Sequence, residues 1–225
     1  MRSTLAITAL ALALNIVHAS DRGRLALPEA AVLPPPVDVA LPADLQRFLT
    51  GLREAAANRD ADFLARHAAP DIETSFGPDP LTLRKLFQDE GGAAWVALEQ
   101  MLALGGAFLR GGQDGIYCLP YYFATFPDDL DPHEHAVVVR AGTDARCDPD
   151  DAGTAVPLPH YALLRYRWGV EGGIRIVEGT RWVPVAMNGK AMYAPDAAMR
   201  SPLDRRLCAS RRNGRWRITA YIGGD

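Results

Sequence analysis

The spacing of apolar side chains changes once along this chain, near residue 135, from a helical period to a strand period. Leu45, Phe48, Leu49 and Leu52 fall at i, i+3, i+4 and i+7, which predicts an amphipathic helix with Asp44 as its N-cap. A second helix is predicted over residues 60–67, with Phe63 and Leu64 inward and Pro70 beyond its end. Gly77, Pro78, Asp79 and Pro80 form a turn signal. Leu83, Leu86 and Phe87 mark a third helix broken by Gly91-Gly92, and Trp95, Leu98, Met101 and Leu102 mark a fourth that stops at Gly105-Gly106. Residues 115–126 are rich in aromatic and β-forming side chains, although Pro120 argues against a central strand there. An acidic loop over 128–135 follows, and the boundary between two units is predicted at its end.

Beyond His135 the pattern is β. Residues 136–140 read as a short apolar strand and 141–154 as a long polar loop. Over 161–168, Leu164, Tyr166 and Trp168 alternate with Arg165 and Arg167, the signature of a strand with two unlike faces. Gly172-Gly173 predicts a turn, 181–185 a strand, and Asn188-Gly189 a two-residue hairpin turn into 190–194. The same device closes the chain: strand 205–211, turn Asn213-Gly214, strand 215–222. Many short strands joined by such turns predict a small barrel or sandwich. The expected fold class is α+β, a small helical domain over 44–135 followed by an all-β domain over 136–225.

The N-terminus adds a compartment. Arg2 precedes a largely apolar run over residues 5–17, and Val17-His18-Ala19 supplies small side chains at the −3 and −1 positions of a cleavage site. This is the plan of a secretory signal peptide over 1–19, too short to span a bilayer, which takes about 20 apolar residues. The expectation is a periplasmic or secreted protein with no stable membrane insertion after cleavage. Residues 20–43, which include Pro34-Pro35-Pro36, read as an extended linker or as an arm packed on a domain.

Charge divides at the same boundary as the hydrophobic period. Residues 41–135 carry 15 acids and 7 bases, whereas 136–225 carry 9 acids and 14 bases. Such a division points to two units with different surfaces, either attracting one another or offering a basic face to an anionic partner. Three cysteines, Cys118, Cys147 and Cys208, allow one disulfide in an oxidising compartment. The expected pair is Cys118–Cys147, tying the domain junction to the first long loop of the second unit.

Residues 136–197 resemble a bacterial SH3-like domain of the kind appended to exported cell-wall proteins. The likeness rests on Val138-Val139-Arg140-Ala141-Gly142, on Ala155-Val156-Pro157-Leu158, on Trp182-Val183-Pro184-Val185 and, in part, on Gly189-Lys190-Ala191-Met192-Tyr193-Ala194. Residues 169–179 stand as an insertion relative to the usual short loop. The segments 70–77, 102–106 and 201–225 are similar to those of uncharacterised proteobacterial secreted proteins that carry such a domain. The resemblance implies an SH3-like barrel and an envelope role of unspecified kind.

Candidate chemistry is sparse. His133-Glu134-His135 has strand-type i, i+2 spacing for a metal, but Pro132 and its acidic neighbours favour a solvated loop. Cys118 lacks the residues that activate a nucleophilic thiol, no G-x-S-x-G elbow occurs, and the paired glycines lack a phosphate-loop pattern. No cofactor is expected, and export excludes nucleic acid as a partner. The expected ligand-binding residues are the aromatics Tyr166, Trp168, Trp182 and Tyr193, which could line a peptide groove, and Arg205, Arg212 and Arg215 from a basic cluster. The expected function is a non-enzymatic envelope binding or scaffold module for a peptide, a cell-wall polymer or an envelope protein. A cysteine hydrolase at Cys118 and a secreted inhibitor using the 128–135 loop are the alternatives.

Overall fold

The computed structural model describes residues 31–37, 40–75, 80–89, 92–109, 115–151, 155–169 and 173–223. The expected signal peptide over 1–19, Gly91 and Gly172, and residues 77–79 of the first predicted turn lie outside them.

The helical half begins as its periodicity predicts. Helix α1 (Ala43–Asn58) buries Leu45, Phe48, Leu49, Leu52, Ala55 and Ala56 on one face. Asp44 is not its N-cap, because Pro42 holds that position. Asp44 lies instead in the first turn, where its carboxylate suits the positive end of the helix dipole. Helix α2 (Ala61–His67) is capped by Asp60, whose carboxylate accepts the Phe63 N–H at 2.8 Å. Helices α3 (Pro80–Asp89) and α4 (Ala93–Leu104) are joined by the indole of Trp95, which donates to the Phe87 carbonyl at 2.8 Å. Two elements depart from expectation. Residues Ala68–Thr74 form strand β1, and Tyr121–Thr125 form a short helix, α5. Pro70 is tolerated in β1 because that strand is an edge, paired on one side only.

Two sheets follow. Strands β2 (Ala107–Phe108) and β3 (Tyr117–Leu119) precede α5. The chain then runs through β4 (His135–Val138), β5 (Asp144–Arg146), β6 (Ala155–Pro157), β7 (Leu163–Tyr166), β8 (Arg175–Val177), β9 (Thr180–Met187), β10 (Lys190–Pro195) and β11 (Met199–Arg200). It ends in β12 (Arg206–Arg212) and β13 (Arg215–Ile222). Both Asn-Gly turns are present, with positive φ at Asn188, Gly189, Asn213 and Gly214, the geometry a two-residue hairpin demands.

The strand order corrects the expected domain plan. One sheet runs β1-β13-β12-β3-β2, the other β11-β4-β7-β9-β10-β5-β6 with β8 beside β9. The C-terminal hairpin therefore belongs to the sheet of the helical half, and the all-β unit does not extend over 136–225. The second sheet is an insertion between α5 and β12. Its described strands form an open path rather than a closed barrel. The physical reason is burial: Leu207, Ala209, Trp216, Ile218 and Tyr221 complete the core under α1–α4. A strand's alternation gives its buried face but does not say against which sheet that face lies.

A separate core fills the inserted sheet, with Val138, Leu164, Val183, Val185, Met187 and Met192 among its members. A third cluster joins the two units and contains Leu33, Cys118, Tyr121, Tyr122, Val137 and Cys208. The proline-rich segment reaches it as a packed arm: Val32 bridges Ala162, and the Tyr121 hydroxyl donates to the Leu33 carbonyl at 2.6 Å.

The disulfide also differs from expectation. It joins Cys118 of β3 to Cys208 of β12, directly opposed residues with Cα atoms 4.1 Å apart, while Cys147 is free and exposed. Cys147 follows β5 in the inserted sheet, whereas antiparallel pairing of β3 with β12 sets the other two sulfurs face to face. The closed loop spans a sequence separation of 90 residues. Loop-closure entropy assigns such a bridge about 4–5 kcal/mol. Replacing Cys118 and Cys208 together by alanine is expected to lower the urea-unfolding free energy by roughly that amount, and Cys147→Ser by less than about 0.5 kcal/mol. Equal effects of the two changes would contradict this assignment.

Candidate functional site

The C-terminal hairpin meets α1 and α2 at a cleft of about 690 Å³. Helix α1 contributes Arg47, Phe48 and Gly51, α2 contributes Phe63, Arg66 and His67, and β13 contributes Arg215, Trp216 and Arg217. Gly51 is required locally, since a Cβ there would lie 2.7 Å from the tip of the Phe63 ring. The helical i, i+4 spacing stacks Phe63 on His67 with ring centroids 4.0 Å apart, and His67 donates from Nδ1 to the Phe63 carbonyl at 2.9 Å. Phe48 lies 6.0 Å from His67, so three rings form a continuous wall. Trp216 is 7% exposed, and its indole N–H has no acceptor among the described residues.

The electrostatics are one-sided. Four arginines line the cleft against one carboxylate, Asp44, which already pairs with Arg211 at 2.9 Å. Arg217 donates to the Arg66 carbonyl, which ties the hairpin to the end of α2. Arg66 is 3.5 Å from Asp60, a pair worth little because both side chains are exposed. Arg47 and Arg215 are exposed and have no carboxylate partner among the described residues. Cations over an aromatic wall suit a ligand that is anionic at some points and flat or apolar between them.

The seven expected ligand-binding residues fall in separate places. Arg212 and Arg215 are opposed across the hairpin tip, and Arg215 enters the cleft. Arg205 lies before β12, its guanidinium 5.9 Å from the Tyr221 ring. Tyr166 packs against the inserted sheet's core and stacks on Trp168 at 4.6 Å, and Trp168 is 59% exposed. Trp182 and Tyr193 share the outer face of the inserted sheet with Arg146 and Arg175, by the register Arg175 to Trp182, Trp182 to Pro195, Pro184 to Tyr193 and Tyr193 to Arg146. That face is roofed. The Arg146 guanidinium sits 4.8 Å over Trp182 and Arg175 sits 6.0 Å from Tyr193, with Arg175 held by Asp148 and Asp150. Arg217 belongs to the same basic stretch of sequence as Arg215 and also enters the cleft, and the residues missed from sequence are Arg47, Phe63, Arg66, His67 and Trp216. Their one available signal was the Phe63, Arg66, His67 spacing at i, i+3 and i+4.

Other candidates resolve locally. Glu134 pairs with Arg165 at 2.6 Å and His135 contacts the Asp131 carbonyl through Nδ1, so the His133–His135 run serves loop geometry. Among the described residues no group of three or more histidine, cysteine or acidic side chains is placed to hold a metal. Cys118, bound in a disulfide, offers no thiolate for the hydrolase alternative. Comparison with protein families, with curated proteins and with solved structures gave no match to this chain.

The junction between the units carries a cluster of buried phenols. Burial raises the pKa of Tyr121 and Tyr122 well above the ordinary value of 10, and burial with Asp204 and Asp196 nearby pushes Tyr166 up to about 12. A raised native pKa means that the unfolded chain ionises first, so stability falls as pH rises past 10. Absorbance titration of tyrosinate is expected to show Tyr166 ionising near pH 12 and Tyr121 and Tyr122 only when the fold is lost. Tyr122→Phe should flatten the loss of stability above pH 10. Simultaneous ionisation of all seven tyrosines near pH 10 in the folded protein would contradict this.

Proposed function

We propose that this chain is an exported, non-enzymatic binding protein, and that the cleft between α1, α2 and the C-terminal hairpin holds an anionic polymer of the cell envelope. One observation carries the reading: Arg47, Arg66, Arg215 and Arg217 converge on an aromatic wall whose single carboxylate is already neutralised. Arg66 has only a weak exposed pair with Asp60, and Arg47 and Arg215 have no carboxylate partner among the described residues, so the cations repel one another and an anionic ligand relieves that repulsion. Export is supported by the disulfide, which suits an oxidising compartment. Among the described residues no helix is long and apolar enough to cross a membrane.

In this reading the inserted sheet is the SH3-like module that the resemblance suggests, and it acts as a second contact. The observation that favours this role is Trp168, exposed and held flat on Tyr166 beyond the end of β7. A pre-ordered, exposed aromatic pair offers contact area to an extended peptide at low entropic cost. Trp182 and Tyr193 are assigned to packing instead, because arginines cover them.

Co-sedimentation of the mature full-length protein with purified cell-wall sacculi tests the proposal. Binding is expected to weaken steadily with added salt, since screening shortens the reach of exposed charges to about 8 Å at physiological ionic strength. Arg47→Glu combined with Arg215→Glu should weaken it at least about tenfold, near 1.4 kcal/mol. Binding that is indifferent to salt and to this double reversal, or no binding at all, would overturn the proposal.

A further inference from the structure

The cleft between α1, α2 and the hairpin has a property beyond its charge, because its lining side chains offer hydrogen-bond donors and almost no acceptor. Guanidinium and indole groups only donate, so Arg47, Arg66, Arg215, Arg217 and Trp216 have nothing to accept with. Asp44 is engaged on both oxygens: Oδ1 accepts the Leu45 N–H at 3.1 Å, and Oδ2 faces Arg211 at 2.9 Å. His67 spends Nδ1 on the Phe63 carbonyl, which leaves its Nε2 as the one side-chain acceptor among the described lining residues. A second cleft, of about 600 Å³, lies over β1, β12 and β13 and differs in kind. Asp71, Glu73 and Ser210 line it together with Arg206, Arg211 and Arg212, so it sets no single polarity.

In the donor-rich cleft the cations stand on both walls. Arg47 of α1 and Arg66 of α2 belong to the helical wall, and Arg215 and Arg217 of β13 to the hairpin wall. Arg215 and Arg217 are two residues apart on one strand, so their Cα atoms lie about 7 Å apart and their side chains leave the same face. Trp216 adds a buried N–H with no acceptor among the described residues. A buried donor left unpaired is unfavourable, and a ligand acceptor that reaches it recovers the loss. The half-buried rings of Phe63 and His67, stacked at 4.0 Å, supply the apolar part of the lining.

Resting on the anion-binding role proposed for this cleft, we infer that the group it takes is an in-chain phosphodiester, its oxygens shared between Arg47 and Arg66 on one wall and Arg215 and Arg217 on the other. A phosphodiester accepts hydrogen bonds and donates none. Its charge lies within the chain, where its oxygens point to more than one side. A pendant carboxylate turns both oxygens one way and so meets one wall. Uronic acids and peptides, the units that carry carboxylates, also bring hydroxyl or amide donors, which a donor-only lining leaves unpaired. Guanidinium is the side chain best matched to phosphate oxygens. The carbon linkers between phosphates then lie against the Phe63 and His67 rings.

Isothermal titration of the oxidised full-length mature protein with poly(glycerol phosphate) and with polygalacturonate, matched in charge number and salt, tests the inference. The phosphodiester polymer is expected to bind at least about tenfold more tightly. Arg47→Glu combined with Arg215→Glu should weaken binding and abolish the difference, which locates the selectivity in this cleft. Both positions are exposed, and unchanged circular dichroism will confirm the fold. Phosphatidylglycerol vesicles present the same diester from a lipid headgroup; binding to them as tight as to the polymer would keep the phosphodiester and assign its source to the membrane. Equal affinity for the two polymers, lost in the double reversal, would overturn the inference alone. A preference that survives the reversal, or binding of neither polymer, would overturn both it and the anion-binding role of the cleft.

Discussion

The antiparallel contact between β3 and β12, stapled by Cys118–Cys208, is the constraint on which the rest of the molecule depends. The chain leaves the first sheet after β3, builds an entire second sheet, and returns to the place it left. Without that return the helices α1–α4 would cover an incomplete sheet, because β12 and β13 supply Leu207, Ala209, Trp216, Ile218 and Tyr221 to their core. A contact between such distant segments is entropically costly to form, and a covalent bridge removes much of that cost from the unfolded side. The neck is reinforced without covalent help by the aromatic cluster around Tyr121 and Tyr122 and by the arm through Leu33.

The same closure positions both clefts. Strand β13 and the hairpin turn form one wall of the cleft against α1 and α2, and β12 and β13 line the cleft over β1. The charge division along the chain now has a structural meaning. The basic C-terminal hairpin is laid onto the acidic helical half, where Arg211 meets Asp44 and Arg217 meets the end of α2. That contact accounts for part of the asymmetry by attraction within the molecule. Arg47, Arg212 and Arg215 are the surplus, and they stand at the entrances to the two clefts.

What was legible in the sequence was local. The Leu45, Phe48, Leu49, Leu52 stripe, the helix ending at His67, the stop at Gly105 and both Asn-Gly hairpins are decided by neighbours within a turn or two of chain. The change of unit beside His135 was legible because the hydrophobic period itself changes there. Non-local pairings were not. Pro70 hid β1, since nothing local says that a strand will be an edge. The aromatic run of α5 looks β-forming yet packs as a helix against the neck. The partner of Cys118 depended on the return of β12, and the roofing of Trp182 depended on a β5 arginine that register alone brings over it. The cleft residues came from three separate elements, α1, α2 and β13, so only the basic residues of the C-terminal hairpin, Arg215 and Arg217, were visible beforehand.

Peptide mapping of the mature protein under non-reducing conditions is the most direct test of this architecture. The account predicts a single cross-linked pair containing Cys118 and Cys208, with Cys147 recovered as an alkylated free thiol. Recovery of Cys147 in a disulfide with either partner would contradict it.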